Sequence, residues 1–210
     1  METTRSLQRV KNYLTLGSQK ENDLSEIRNT RDEILDAAES MMRTAGYNAF
    51  STRDVAASVD IKAASVHYHF PTKSDIGAAV AHRYTQRFID SLGDSAAFKA
   101  NADKAVAHYV DAFRTALVRD GKLCLCAVLG AETGGLPPEV AASARIFFER
   151  NLEWLTAALN NHGKRGIPAA LSRATLVLAS LEGAMILSKS LANQAVFERV
   201  VRGLLLTPGK

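Results

Sequence analysis

The chain has 210 residues, of which 47% are apolar and 23% charged, and this composition suits one or two folded domains rather than general disorder. Its longest uncharged apolar stretch, residues 123–131, is too short to span a bilayer, and Glu182 interrupts the longer one between Ala174 and Leu187. The N-terminus shows no secretory pattern and two cysteines make no disulfide framework, so we expect a cytoplasmic protein that does not use a membrane.

The net charge of +4 is not concentrated in one place. Residues 30–90 carry seven Lys and Arg against eight acidic residues, whereas residues 91–210 carry fourteen against ten. Phosphate neutralisation drives most non-specific affinity for DNA. A DNA-binding function must therefore be inferred from the residue pattern rather than from the charge.

Residues 1–29 mix five basic residues with polar ones and show only a broken apolar pattern. We interpret them as a flexible N-terminal arm. It is either a basic tail that touches the minor groove or phosphates, or an unstructured extension.

A first helix is predicted next, because apolar residues recur every three or four positions. Thr30 and Glu33 form the pattern of a capping box at its start. Gly46 is suited to the left-handed residue that follows a helix end.

Two short helices and a longer one are predicted after it. Ser51, with Asp54 three residues on, can cap a second helix, Asp60 marks a turn, and a third helix follows over residues 62–69. Phe70 ends that helix, because the residue before a proline is pushed out of helical geometry. Thr72 and Asp75 open a fourth helix, whose apolar face is Ile76, Val80, Tyr84 and Phe88.

The second half is also helical, without the alternation typical of strands. Glycine and proline clusters divide it into five predicted helices. Their ranges are 101–119, 122–134, 138–162, 168–191 and 195–206.

The pattern over residues 51–70 fits a helix-turn-helix. Two short helices joined by a tight turn and packed on a longer helix lay the second short helix in the major groove of DNA. The outward side chains of the third helix can contact phosphates, base edges and thymine methyl groups. They are Lys62, Ala63, Ser65, His67 and Tyr68.

Residues 51–73 resemble the DNA-binding segment of the TetR/AcrR family of transcriptional regulators; they read STRDVAASVDIKAASVHYHFPTK. The element formed by Tyr68, Phe70 and Lys73 is quite specific for that family. Asp60 stands where the family usually has glycine, and His67 stands where tyrosine is common. Aspartate tolerates the left-handed conformation better than most residues, so the fold is retained.

The resemblance implies an all-α fold, with an N-terminal three-helix helix-turn-helix DNA-binding domain over residues 30–75 and a helical ligand-binding and dimerisation domain over residues 76–210. It places Thr52 and Lys73 at phosphates, and Lys62, Ser65, His67 and Tyr68 near the groove. The implied function is a ligand- or redox-responsive repressor that binds a palindromic double-stranded operator as a homodimer.

An apolar pocket for an unknown small-molecule effector is expected in the second domain. The candidate lining residues are Tyr84, Phe88, Tyr109, Phe113, Cys124, Phe148 and Trp154. The alternative is that this aromatic stripe is simply core.

Two cysteines lie close together in this half. Helical residues two apart point about 200° away from each other, so Cys124 and Cys126 cannot readily share a bridge or a metal, and we expect no metal and no cofactor. An exposed thiol, activated by Lys122, could sense oxidants or electrophiles. The alternative is a buried cysteine that acts as a small hydrophobe.

Glu132 and Glu182 are candidates for a polar contact to a ligand or across a subunit interface, or for local pairing with a basic residue. Residues 138–162 and 168–191 carry apolar side chains on more than one helical face. That excess predicts a four-helix dimer interface.

An enzyme is not expected. The sequence has no Gly-rich phosphate loop, no nucleophile elbow and no His-Glu helix motif. The remaining alternative is a helical small-molecule or thiol sensor without sequence-specific DNA binding.

Overall fold

The computed structural model describes residues 29–160 and 166–206, with only the backbone for residues 116–120 and 206. Nine α-helices and no strand occur in these residues, which confirms the all-α prediction. The helices are α1 (29–45), α2 (Thr52–Ser58), α3 (Ala63–His69), α4 (Lys73–Leu92), α5 (Ala102–Asp120), α6 (Leu125–Ala131), α7 (Pro138–Leu159), α8 (Ile167–Ser190) and α9 (Ala195–Leu206).

The predicted start of α1 is wrong. Residues 29 and 30 are already helical, so Thr30 is not the N-cap. Glu33 instead accepts a hydrogen bond from Asn29 Nδ2 at 3.0 Å. The prediction of an N-terminal arm over residues 1–29 otherwise falls on residues outside the described part of the chain.

The capping boxes of α2 and α4 are confirmed. Ser51 Oγ accepts from the backbone N–H of Asp54 at 3.2 Å, and Asp54 accepts from the Ser51 N–H at 2.9 Å. Thr72 and Asp75 make the same reciprocal pair at the start of α4. Each pair satisfies two N–H groups that the helix itself leaves unpaired.

The turn between α2 and α3 also follows its sequence. Asp60 has φ 56°, the left-handed conformation expected of a residue that stands in for glycine. The N–H of Ile61 then donates to the carbonyl of Ala56 at 3.0 Å and closes the turn. Phe70 caps the end of α3 in an extended conformation, as the following proline requires.

The C-terminal domain is built around α7. This helix packs against α4, α5, α6 and α8, and α9 covers α8. The helix α4 begins beside α3 and continues into the C-terminal domain, so it belongs to both parts of the molecule.

Helix α6 is shorter than the predicted 122–134. It begins at Leu125, because the carbonyls of Lys122 and Leu123 accept hydrogen bonds from the Arg43 guanidinium instead of helical N–H groups. At its other end a 3₁₀ turn, Thr133–Gly135, replaces the last predicted turn.

By length and composition alone, α8 is the one helix in the described residues that could cross a membrane. It packs against α7 and α9, and it carries the buried Glu182. A core helix passes the same test, and this packing is that of a core helix.

Candidate functional site

One face of α3 is held against the N-terminal unit and the opposite face is left in solvent. Val66 is fully buried, together with Val55 and Ala56 of α2. Lys62, His67 and Tyr68 are exposed. Tyr68 is 74% exposed, which is unusual for a large aromatic side chain.

His67 has a defined orientation. Its Nδ1 lies 3.2 Å from the carbonyl oxygen of Pro71. A carbonyl can only accept, so this contact requires the proton on Nδ1 and leaves Nε2 of the neutral ring as an acceptor. An acceptor on this face suits the amino group of adenine or cytosine in a major groove.

The other predicted α3 contacts are less accessible. Ala63 and Ser65 are half-buried, and Ala63 packs against the hydrophobic core. Ala63 therefore has less surface for DNA than the sequence pattern suggested, because the side chains of a seven-residue helix must also hold the helix in place.

Thr52 and Lys73 occupy the first residues of α2 and α4, where helix N-termini favour anions. The Lys73 ammonium lies over the rings of Tyr47 and Phe50, at 4.5 and 4.7 Å from their centroids. Burial lowers the pKa of Lys73, against the opposing effect of Glu132 and Asp54. This packing role was not visible in the sequence.

Arg53 was missed by the sequence reasoning. It is exposed in the first turn of α2, beside Thr52. Its position two residues ahead of the buried Val55 was the signal, since helical residues two apart point about 200° away from each other.

Glu132 joins the two domains at the end of α1. Its Oε2 accepts from the backbone N–H of Tyr47 at 2.9 Å. Gly46, at φ 88°, makes room for this carboxylate, because a Cβ there would lie 1.8 Å from Glu132 Oε1. Glu132 therefore hydrogen-bonds a backbone group, and its charge also acts on the Lys73 ammonium.

Arg43 makes a second junction. From α1, its Nε donates to the carbonyl of Leu123 at 2.7 Å and its Nη2 to that of Lys122 at 3.2 Å. Lys122 Nζ in turn donates to Ser40 Oγ at 2.6 Å. Helix α1 thus contacts the chain at both ends of α6.

The predicted effector residues form a packed aromatic cluster. Its ring centroids are 5.3 to 5.9 Å apart where Phe88 meets Tyr109, Phe113 and Phe147. Tyr84, Tyr109, Phe113, Cys124 and Trp154 are buried, whereas Phe88 and Phe148 are half-buried. For the buried members this is the core packing that the alternative interpretation described.

Buried polar groups within this cluster are mostly paired. The Tyr109 hydroxyl donates to Asn151 Oδ1 at 2.6 Å, and Asn151 Nδ2 donates to the Phe147 carbonyl at 2.7 Å. Trp154 Nε1 donates to the carbonyl of Gly93 at 2.8 Å. Asn151 was not identified from the sequence, where nothing distinguishes it from a surface asparagine.

An open cleft of about 380 Å³ lies between α4 and α5. Of the seven predicted effector residues, only Phe88 lines it. The other lining residues are Arg87, Ser91, His108, Asp111, Ala112 and Thr115.

The two cysteines are buried and not bonded to each other. Burial, and then the charge of Glu182, raises the pKa of both thiols. The proposed activation by Lys122 is contradicted, since a raised pKa disfavours the reactive thiolate. The buried alternative describes Cys124 and Cys126 better.

Family models match both parts of the chain. The model for bacterial regulatory proteins of the tetR family matches residues 34–80. The model for the C-terminal domain of LmrA/YxaF-like transcriptional regulators matches residues 102–203. A search of curated proteins found no match.

Solved structures show the same architecture over most of the chain. A TetR transcriptional regulator from Legionella pneumophila is 32% identical, with a TM-score of 0.75, and the match covers 82% of this chain and 93% of that one. A TetR-family regulator from Agrobacterium tumefaciens is 28% identical, with a TM-score of 0.74 and coverages of 85% and 97%.

A more distant structure shares the fold alone. The regulator FadR from Bacillus subtilis, solved in complex with stearoyl-CoA, is 16% identical with a TM-score of 0.64. The match covers 83% of this chain and 95% of that one.

Proposed function

This chain belongs to the TetR family of DNA-binding transcriptional regulators, and we propose that it is a repressor that binds a palindromic operator as a homodimer and releases it when a small molecule binds its C-terminal domain. Proteins of this family bind DNA and small-molecule effectors, typically as dimers and without enzymatic activity. A cytoplasmic location follows from such a role.

The observation that carries the DNA-reading part is the division of α3 into two faces. Val66 fixes the inner face. The outer face offers a cation at Lys62, a hydrogen-bond acceptor at His67 and an aromatic ring at Tyr68. Such a set can contact phosphates, base edges and thymine methyl groups together.

The apolar outer face of α8 supports the homodimer. Leu171, Leu176, Ile186 and Leu187 are 44 to 59% exposed on this helix. Ala179 and Gly183, on the same side, are small enough to let a second helix approach closely. A two-fold dimer predicts a palindrome with half-sites about one helical turn apart, or a multiple of it.

The double attachment of α6 to α1 supports effector response. Arg43 holds the carbonyls before α6, and Glu132 holds Tyr47 after it. A ligand that displaces α4 and α6 would therefore shift α1, and with it the spacing of the two α3 helices. It can do so only by binding one spacing more tightly than the other. FadR, which shares the fold, was solved with stearoyl-CoA, so such a fold can hold a small organic molecule.

The proposal is tested by selecting bound sequences from random duplex DNA. We expect the wild type to enrich a palindrome, and the Lys62→Ala, Tyr68→Ala double variant to lose it. Lys104→Ala, which removes one exposed cation from α5, is the matched control and should enrich the same palindrome. No enrichment by the wild type, even at low salt, would remove the DNA-reading role.

One observation favours a second candidate, a helical sensor that does not bind specific DNA. Residues 30–90 carry seven basic and eight acidic residues, so the reading unit attracts phosphates weakly on its own. The same selection separates the two, because a sensor of this kind enriches no sequence while it still binds effectors.

A further inference from the structure

Glu182 is a buried carboxylate without a hydrogen-bond partner among the described residues. The residue is 8% exposed, and neither Oε1 nor Oε2 is accessible to solvent or makes a hydrogen bond of good geometry in this part of the chain, although the Cys124 thiol lies beside them. Buried polar groups are nearly always paired. Tyr109 and Asn151, in the same domain, obey that rule and Glu182 does not.

Among the described residues, no positive charge acts on Glu182. Its electrostatic neighbours are the Tyr109 hydroxyl from α5 and the thiols of Cys124 and Cys126 at the start of α6. No basic side chain of the described residues offsets its charge. Burial therefore raises the pKa of Glu182 to about 7, and the adjacent Cys124 thiol counteracts only part of that rise.

The open cleft between α4 and α5 is linked to this carboxylate through contacts between side chains. Phe88 is half-buried and lines the cleft, and its ring packs edge-on against Tyr109 at 5.9 Å. The charge of Glu182 contributes, after burial, to raising the pKa of Tyr109, so the two groups lie near each other. Phe88 and Tyr109 thus connect the cleft to the neighbourhood of the carboxylate.

We propose that Glu182 is the polar recognition group of the effector site, and that the effector is an aromatic organic cation whose ammonium pairs with this carboxylate. The effector's ring would enter by the cleft and replace Phe88 against Tyr109. Aromatic walls attract both a flat ring and its cationic group. The carboxylate would supply the single buried charge that fixes orientation. The regulatory consequence rests on the proposed function, whereas the binding itself does not.

The test compares 2-phenylethylamine with 2-phenylethanol, which share a ring and chain and differ in charge. Binding to the full-length protein is measured by calorimetry without DNA. We expect the wild type to bind the amine about tenfold more tightly than the alcohol or better. Glu182→Gln keeps the side-chain shape and should bind both probes alike. Asp103→Asn removes an exposed carboxylate from α5 and should behave as the wild type.

The pH profile of the amine affinity adds an independent readout. The groups that face Glu182 are Tyr109, Cys124 and Cys126, whose pKa values are all raised, so they keep their protons near neutrality. The carboxyl must ionise to pair with the ammonium, and its pKa is about 7. The amine affinity should therefore rise about tenfold from about pH 6 to about pH 8 in the wild type, and not in Glu182→Gln.

Failure is recognisable at each step. If the wild type binds neither probe, or binds both equally, or if Glu182→Gln keeps the preference for the amine, the proposed site is wrong. An amine that binds without changing operator affinity would leave the site in place and contradict the effector role. If the wild type binds no operator, only the proposed function is wrong, because binding of the amine is measured without DNA.

Discussion

The helix caps of the N-terminal unit and the interior of the C-terminal domain pair their polar groups differently. In the N-terminal unit the carboxylates of Asp54 and Asp75 are paired within three residues, and the side chains proposed to act project into solvent. In the C-terminal domain the Tyr109 hydroxyl is buried and depends on Asn151 from a distant helix, and neither carboxylate oxygen of Glu182 makes a hydrogen bond among the described residues. A DNA-binding unit gains from such local rigidity. A ligand-binding domain instead needs buried polar groups whose missing partner a ligand can supply.

We expect the largest change in the free energy of unfolding when Glu182 is substituted. Its pKa is about 7 in the folded protein, above its ordinary value of 4.5. Between these two pH values the folded state holds a proton that the unfolded chain has released, so stability falls as the pH rises through this window. Glu182→Gln removes that loss, and should be more stable than the wild type by about 3 kcal/mol at pH 8 and nearly equal to it at about pH 4.

Urea unfolding at both pH values measures this difference. An equal urea midpoint for the two proteins at pH 8 would show that Glu182 is already compensated in the folded state. The contrast between the domains would then disappear.

A smaller effect is expected at the paired group next to it. Tyr109→Phe removes the hydroxyl that donates to Asn151 and leaves a buried amide oxygen unpaired. The cost should be about 2 kcal/mol in the free energy of unfolding, with little change in operator affinity. Thermal and urea denaturation measure it, with Tyr68→Phe on the exposed face of α3 as the control that should cost nothing. An unchanged free energy of unfolding in Tyr109→Phe would mean that the hydrogen bond between Tyr109 and Asn151 does not stabilise the interior.

The caps of the N-terminal unit come next. Ser51→Ala and Thr72→Ala each remove an oxygen that accepts a backbone N–H, and each should cost about 1 kcal/mol. The two sites share no partner, so the double variant should lose the sum. Denaturation of the single and double variants checks this. A strong departure from additivity would show that α2 and α4 are not capped independently.

The smallest expected effect is at the turn. Asp60 has φ 56°, which glycine adopts without strain. Asp60→Gly should stabilise the unit by about 0.5 kcal/mol, because relief of strain exceeds the added freedom of the unfolded chain. Chemical denaturation would detect it, and Asp60→Ala, which cannot relieve the strain, is the matched control. If Asp60→Gly is instead less stable than the wild type, the Asp60 side chain makes a stabilising interaction that the sequence pattern did not predict.

The same difference explains which parts of the fold could be predicted from the sequence. Caps and turns are local, so Ser51, Asp60 and Thr72 could be predicted from neighbours within three residues. The predicted start of α6 was wrong because a distant group takes part: the Arg43 guanidinium of α1 binds the carbonyls that would otherwise have extended this helix. The predicted start of α1 was wrong because asparagine and threonine are both favourable N-cap residues, so the residue types at positions 29 and 30 did not show where the helix begins.

Within the candidate DNA-binding site, the exposure of three of the five predicted side chains was confirmed, whereas the half-burial of Ala63 and Ser65 and the pairing of polar groups were not predicted. The outward face of α3 follows from helical spacing, and Lys62, His67 and Tyr68 lie there. The position of the Lys73 ammonium over Tyr47 and Phe50 depends on the packing of α4 against the loop after α1. The burial of Cys124 and Cys126 beside Glu182 likewise depends on how three separate helices meet.

Sequence reading by α3 is tested by the ratio of two affinities at about 0.15 M salt, one for the selected palindrome and one for a shuffled duplex of the same length. Fluorescence anisotropy of labelled duplexes measures both. We expect the wild type to prefer the palindrome by about a thousandfold or more. The Lys62→Ala, Tyr68→Ala variant should lose most of this preference while it retains its urea midpoint. A wild-type ratio near one, or an undiminished ratio in the double variant, would contradict the assignment of α3 as the element that reads DNA.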